Sequence, residues 1–424
     1  MATKHWEEYN MAHLTVDIGG RPGIDCRGFC SYCYFKHLGK EANPEPFGCK
    51  YCLPFTKGCE YCTDGVREKY EGFKSLRDVA DDILANLQLM DGELEKITIS
   101  GGGDPSCYTE FKDLMEILSS MEVPVHIGYT SGKGFDDPEI ADFMVKNGLS
   151  EISFTVFAAD PKLRAEYMGD PSPEASLEIF KRLCKKIDVY AAAVVIPGVN
   201  DGVVLEDTCR FIDECGAKGL ILMRFANRTD QGLILGNAPV IKGQRVHTVR
   251  EFAEIVASMN AKYKIKINGT PLGDPEIGSP FAIMDEPDLL EKLPRVDRDA
   301  TIITGSIAAR PIQTILDACG NNSWVYGTQK EIACLITIDD LKAVDLSRIN
   351  ETVIIPGRCF VHDKEASEVL SADGVERTVI RGPDMLTADA ETSMGMDRNG
   401  VLQMEMDGFS DLIRLINMYG KKRS

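Results

Sequence analysis

Positive charge is in short supply: 47 Lys and Arg residues face 66 Asp and Glu, leaving a net charge of −19. Such a surface field repels a phosphate backbone, so nucleic acid drops out as an expected ligand and cationic or neutral partners are favoured. Long apolar runs are missing as well. The best, Val189 to Val199, is broken by Pro197 and Gly198, whereas a membrane helix needs roughly 20 residues; no membrane span is expected. Met1 to Asn10 carries Lys4, Glu7 and Glu8 where an export signal would need its apolar core. These absences predict a cytoplasmic protein. No repeat of solenoid length runs through the chain.

What is present is enough chain, 424 residues, for two or three domains. Strand-like runs at His13 to Ile18, Lys96 to Ser100, Pro124 to Tyr129, Glu151 to Phe157, Val189 to Ile196 and Leu220 to Phe225 alternate with amphipathic helical stretches such as Ser75 to Met90 and Glu110 to Met121. That rhythm predicts six βα units of a parallel α/β sheet, a partial (βα)6 barrel, with its chemistry in the loops after the strands' carboxyl ends. Residues 1–240 are assigned to this barrel and 34–74 to a cysteine-rich insertion. Pro271, Pro275, Pro280, Pro287 and Pro294 punctuate a connecting segment, 241–299. A C-terminal mixed α/β domain, 300–424, is expected to hold strands at Thr301 to Ile307, Ala333 to Ile338, Thr352 to Ile355 and Thr378 to Ile380, and a last helix at Phe409 to Met418.

Fourteen cysteines in a cytoplasmic chain point to metal ligation or redox chemistry rather than disulfides. Cys26, Cys30 and Cys33 form a C-x3-C-x2-C run just beyond the first strand. A four-iron cubane has four corners, so three thiolates leave one iron open for a substrate. Cys49, Cys52, Cys59 and Cys62 form two C-x2-C knuckles, able to close a tetrahedral zinc or iron site or to hold a second cluster. A fully ligated site has no open position, so this quartet is read as structural, pinning the insertion over the barrel mouth. The scattered cysteines, Cys107 among them, read as small buried hydrophobes.

The trio with its aromatic Tyr32, placed after the first strand of a six-unit pattern, resembles the radical S-adenosylmethionine (SAM) superfamily. The resemblance implies a 4Fe-4S cluster on Cys26, Cys30 and Cys33 and SAM as cofactor. It also implies an amino-group site in the glycine loop Gly101, Gly102 and Gly103 with Asp104 as the nearby carboxylate, and support of the adenine around Val195 and Pro197. Tyr32-Cys33-Tyr34-Phe35, the knuckle at Pro46 to Cys52 and the loop Ile99 to Pro105 are similar to those of the methanogenesis marker protein 10 family. Its members are cobalamin-dependent radical SAM methyltransferases that methylate the δ-carbon of an arginine in the α subunit of methyl-coenzyme M reductase. This resemblance implies cobalamin, that protein substrate, a low-potential electron donor and an anaerobic methanogenic archaeon as the setting.

A D-x-H-x-x-G cobalt-binding motif is absent, and His362-Asp363 does not fit it. By elimination the C-terminal domain is expected to hold the corrinoid. Tyr108 is a candidate ligand of the open iron, and Arg224 a candidate partner for a carboxylate of SAM or a corrinoid side chain. Two other readings stay open: a radical SAM maturation enzyme using the quartet as an auxiliary metal site, and a zinc-binding interaction module without catalysis.

Overall fold

The structure is a computed structural model that describes residues 12–36, 72–90, 92–233, 238–320 and 323–422. The quartet Cys49, Cys52, Cys59 and Cys62 lies outside the described residues. Seven strands build the first sheet: β1 (Ala12–Asp17), β2 (Leu94–Ser100), β3 (Val125–Thr130), β4 (Leu149–Thr155), β5 (Asp188–Val195), β6 (Gly219–Arg224) and β7 (Lys266–Thr270). They lie in sequential order, every pairing parallel. Crossover helices α1 (Leu76–Leu89), α2 (Phe111–Ser119), α3 (Ile140–Lys146), α4 (Pro173–Leu183), α5 (Gly202–Cys215) and α6 (Val249–Lys262) cover one face.

Side chains alternate along these strands. Ile97, Ile99, Val125, Ile127, Ile152 and Phe154 pack against Val79, Leu114, Met144 and Phe180 of the helices. Each fully buried apolar side chain there stabilises the fold by about 1.5–3 kcal/mol. Local signals set the helix ends: Ser75 caps α1 by accepting from the Asp78 N–H, Thr248 and Glu251 form a capping box at α6, and Gly216 closes α5 in the left-handed conformation.

The sequence reading stopped at six strands and treated 241–299 as a connector. The structure corrects both: this segment supplies α6 and β7 to the barrel sheet. Lys-Ile-Asn-Gly-Thr has one branched apolar residue in five, so the usual strand signal is missing.

The second sheet contains β8 (Arg298–Thr304), β9 (Ser323–Gly327), β10 (Thr352–Ile355), β11 (Thr378–Arg381) and the short β12 (Lys421–Lys422). All its pairings are parallel except β12 with β8. Helices α7 (Ser306–Ala318), α8 (Asp363–Leu370), α9 (Ala390–Met394) and α10 (Arg398–Tyr419) accompany it. The strand expected at Ala333 to Ile338 is not formed. Ala333–Leu335 is a 3-10 turn and Ile338–Lys342 a short helix, because Thr337 and Asp340 make a capping box that starts a helix inside the apolar run. No helix among the described residues is long and apolar enough to cross a membrane.

The opposite face of the first sheet is polar. Thr98 Oγ1 lies 3.3 Å from His126 Nδ1, Glu151 Oε1 3.5 Å from its Nε2, and Lys96 3.0 Å from Glu151. The C-terminal domain seats on this face: Asn268 of β7 donates to the Ala390 carbonyl at 2.6 Å and to Ser393 Oγ at 3.0 Å, both on α9.

Burial pushes the His126 pKa down to about 4 from an ordinary 6.5, with Glu151 opposing the shift. A depressed folded-state value means the unfolded chain takes up a proton that the fold refuses. This contribution is therefore complete above pH 6.5 and shrinks as pH falls toward 4, by on the order of 2–3 kcal/mol. Urea unfolding at pH 7 and pH 4.5 should show His126→Gln losing that much of the wild-type pH dependence. Parallel curves for the two proteins would refute it.

Candidate active site

The loop after β1 is tied down before the first cysteine. Arg21 grips Asp25 through its backbone N–H at 2.7 Å and Nε at 3.0 Å, and a 3-10 turn, Ile24–Cys26, delivers Cys26. Arg27 then takes a left-handed φ of 53° and reaches the Lys133 carbonyl at 2.9 Å and Asp136 at 2.7 Å. Cys30 and Cys33 share a tight turn, with the Cys33 N–H on the Cys30 carbonyl at 3.0 Å.

Each of the three cysteines is half-buried and provided with donors. Cys26 Sγ accepts from the Gly23 N–H at 3.2 Å and also faces the backbone N–H of Asp104. Burial and then the Asp104 carboxylate push its pKa up to about 11. Burial pushes Cys33 up to about 12, with Cys30 and Cys26 adding to the rise. Burial also raises Cys30, against the pull of Lys133. The thiols thus sit close enough to oppose one another's ionisation, which suits ligands that lose their protons to a metal group.

Their surroundings come from β3 and β4. Lys133 is 1% exposed, and its ammonium donates to the Gly28 and Met168 carbonyls, each at 2.8 Å, and lies 4.0 Å from Cys30 Sγ. The fully buried pair Arg164 and Asp170, at 2.7 Å, braces the strand ends, with Arg164 also donating to the carbonyls of Thr155, Val156 and Ser131. Phe157, held at a φ of 61°, stacks on Tyr32 with ring centroids 4.9 Å apart and on Tyr167 at 5.6 Å. A non-glycine residue in that region stores strain, and here it fixes the aromatic residue of the trio. The Tyr32 hydroxyl lies buried beside Cys30 and makes no full hydrogen bond among the described residues.

Other expected site residues turn elsewhere. On the side where a Cβ would stand, Gly101, Gly102 and Gly103 abut protein: a Cβ at Gly101 would stand 2.5 Å from the Gly19 carbonyl oxygen, one at Gly102 would strike the Gly20 oxygen, and one at Gly103 would stand 2.7 Å from Phe73. The glycines let the loops after β1 and β2 touch backbone to backbone. Asp104 does not offer a free carboxylate to an ammonium. Its oxygens accept from the Ser106 N–H (2.9 Å) and Oγ (2.7 Å), Thr130 Oγ1 (2.6 Å), the Ser131 N–H (2.8 Å) and Ser131 Oγ, which exhausts the roughly four lone-pair sites of a carboxylate.

Val195 belongs to the helix-side core, while Val194 packs at the site beside Cys30 and Tyr32; strand parity reverses the expected assignment. Pro197 is in place after β5, its turn held by the buried Asn200, which bonds Phe157, Val194 and Ile196. Arg224 pairs with Glu331 of the C-terminal domain, so the charge expected to meet a cofactor joins the two domains instead. Tyr108 packs edge-on against Phe73 in the helix-side core, with burial and the carboxylates of Glu110, Asp78 and Asp113 raising its pKa to about 12. Its neighbour Cys107, read from sequence as a small hydrophobe, has its pKa pushed up to about 12 by burial and the Asp104 carboxylate, with Cys26 near enough to add to the rise.

Among the described residues no three His, Cys, Asp or Glu side chains converge on a single ion. The trio need not, since cluster thiolates each bind a different iron. A second candidate site lies at the carboxyl ends of β8, β10 and β11, a cavity of about 250 Å³ walled by Ile303, Ile312, Ile355, Gly357, Gly382 and Leu412. Crevices at that edge of a parallel sheet are where open α/β folds bind ligands.

None of the curated proteins compared matches the chain. Among solved structures, Streptococcus suis SuiB bound to precursor peptide SuiA is similar at 12% identity and TM-score 0.39 over 67% of this chain and 53% of that one. Coproporphyrinogen III oxidase (HemN) of Escherichia coli gives 12% and 0.39 over 60% and 52%. A radical SAM methyltransferase from Sphaerobacter thermophilus gives 14% and 0.37 over 62% and 66%. The chain thus spans about half the length of the first two. Residues 45–212 match the family model of the Radical SAM superfamily, a stretch that begins after Cys33 and runs through α2, β3, β4, β5 and most of α5. The chain carries a domain of the Radical SAM superfamily.

Proposed function

We propose that this protein is a cobalamin-dependent radical SAM C-methyltransferase acting on the δ-carbon of an arginine in the α subunit of methyl-coenzyme M reductase, in the cytoplasm of an anaerobic methanogen. The observation that carries the radical part is the half-buried thiol trio at the carboxyl end of a parallel sheet, in a chain with a superfamily domain. A radical SAM domain implies a 4Fe-4S cluster and SAM, and the residues present fit the cluster. Three thiols, backbone N–H donors to Cys26, the unpaired Tyr32 hydroxyl and a buried ammonium are what a polyanionic group of iron and sulfide requires. The sequence resemblance supports the corrinoid. When bound, the cluster supplies the electron that cleaves SAM and the corrinoid supplies a transferable methyl group, both needed for an sp3 carbon without a lone pair.

The chain's own residues hold and shield. Gly23 and Asp104 N–H groups orient Cys26, Tyr32 is locked by Phe157, and the Arg224 pair with Glu331 holds the second domain against the barrel mouth. The −19 charge suits an arginine-bearing protein substrate.

Incubation of anaerobically purified protein with SAM, cobalamin, a low-potential reductant and a peptide bearing the target arginine tests the reading. Methylated peptide is expected with about one 5′-deoxyadenosine and one S-adenosylhomocysteine per methyl, one for each cofactor's part. Methylation without deoxyadenosine would exclude the radical step. Methylation by corrinoid-free protein without added cobalamin would exclude the methyl carrier.

A further inference from the structure

Lys133 is the largest buried charge at the site without an acidic partner. It is 1% exposed, and among the described residues no carboxylate lies within 4.0 Å of its ammonium, whereas Arg164 has Asp170 at 2.7 Å and Arg27 has Asp136 at 2.7 Å. Asp104, also buried, is already saturated by five donors. Two neutral carbonyls, those of Gly28 and Met168, orient the ammonium, but dipoles do not cancel a full charge in a low-dielectric interior. The third neighbour is Cys30 Sγ at 4.0 Å, and Cys26 and Cys33 also feel the charge. Lys133 comes from the loop after β3, about a hundred residues from the trio in sequence, and its carbonyls are that of Gly28, between Cys26 and Cys30, and that of Met168, 3.6 Å from Cys30 Sγ. It is rigidly placed, dry and aimed at the thiols.

We propose that Lys133 is the built-in counter-ion of an iron-sulfur cluster on Cys26, Cys30 and Cys33, and that its fixed charge raises the cluster's reduction potential. The inference rests on the cluster reading above and goes beyond it. Three thiolates and a four-iron core carry net negative charge. Reduction adds one electron from an external donor and releases nothing, so the reduced state is the more anionic. A fixed cation a few ångströms away stabilises the reduced state more than the oxidised one. Lys133 therefore acts through the cluster as a positioning and tuning residue, and touches no reacting atom of a substrate.

The test is a redox titration of reconstituted protein without SAM, followed by electron paramagnetic resonance, on wild type, Lys133→Met, Lys133→Gln and Lys133→Arg, with iron and sulfide counted in each. Removing the charge should lower the midpoint by at least about 59 mV, a tenfold change in a one-electron equilibrium, in both Met and Gln variants, while Arg stays near wild type. If the neutral variants fold, by circular dichroism, but no longer retain iron while Arg does, the charge requirement is upheld in a stronger form. If Met fails to fold, Gln against Arg gives the same comparison. Equal midpoints in loaded Gln and Arg variants, or loss of iron from Arg as well, would overturn the counter-ion assignment alone. A wild-type protein that takes up no four-iron cluster would overturn the cluster reading with it.

Discussion

Alanine at Cys30 should bring 5′-deoxyadenosine formation from SAM down to the background of a reaction without protein. Cys30 is one of the three thiols of the C-x3-C-x2-C run, and no second thiol among the described residues stands at its Sγ to replace it: around it lie the Lys133 ammonium at 4.0 Å, the Met168 carbonyl at 3.6 Å and the Tyr32 hydroxyl. A cation and a carbonyl held by other partners do not ligate iron in its stead. Two remaining thiolates leave two irons without protein ligands, and the cluster is then expected to be lost or degraded along with its electron transfer to SAM. Iron and sulfide should fall with the activity. Cys215→Ser, at the far end of α5, should keep both, which separates the loss of a ligand from the loss of any thiol. Wild-type deoxyadenosine yield from Cys30→Ala would sink the cluster assignment.

The barrel strands were legible because β1 to β6 carry branched apolar residues with period two or in buried runs, and Ser, Gly, Pro and Asn mark their ends. β7 was not, since its polar Lys266 and Asn268 serve contacts with α9 that no local pattern announces. The trio was legible from spacing alone. The support around it was not: Lys133, Arg164 and Phe157 reach it from β3, β4 and the loop beyond, 100 residues or more away in sequence for Lys133, and nothing in Thr-Ser-Gly-Lys marks a buried ammonium. Val195 failed by one residue of strand parity. The glycine run was legible, but the backbone of Gly19 and Gly20 that it lets approach was not, because that backbone lies about eighty residues away in sequence. Sequence exposes a motif's chemistry when its members are neighbours in the chain; it hides which oxygen atoms are already taken.

Asp104 shows that last point most sharply, and Asp104→Ala should destabilise the fold by about 3–5 kcal/mol. Its carboxylate is 8% exposed and collects donors from two loops: the Ser106 N–H and hydroxyl after β2, and Thr130 Oγ1 with the Ser131 N–H and hydroxyl after β3. Truncation leaves two backbone N–H groups and three hydroxyls to find new partners in a buried space, at roughly 1–3 kcal/mol for each donor left unsatisfied. Ser106 Oγ has a partial alternative in Cys107 Sγ at 3.8 Å, which holds the total below the simple sum. Asp104→Asn keeps one carbonyl oxygen but turns an amide donor toward other donors, so an intermediate loss is expected. Both changes should also weaken the iron site, because the Asp104 N–H faces Cys26 and Lys133 lies two residues beyond Ser131. Urea unfolding of the apoprotein measures the first effect and iron retention of the reconstituted protein the second. A stability loss under about 1 kcal/mol for Asp104→Ala would mean that water satisfies those donors and that the carboxylate is free for a ligand after all.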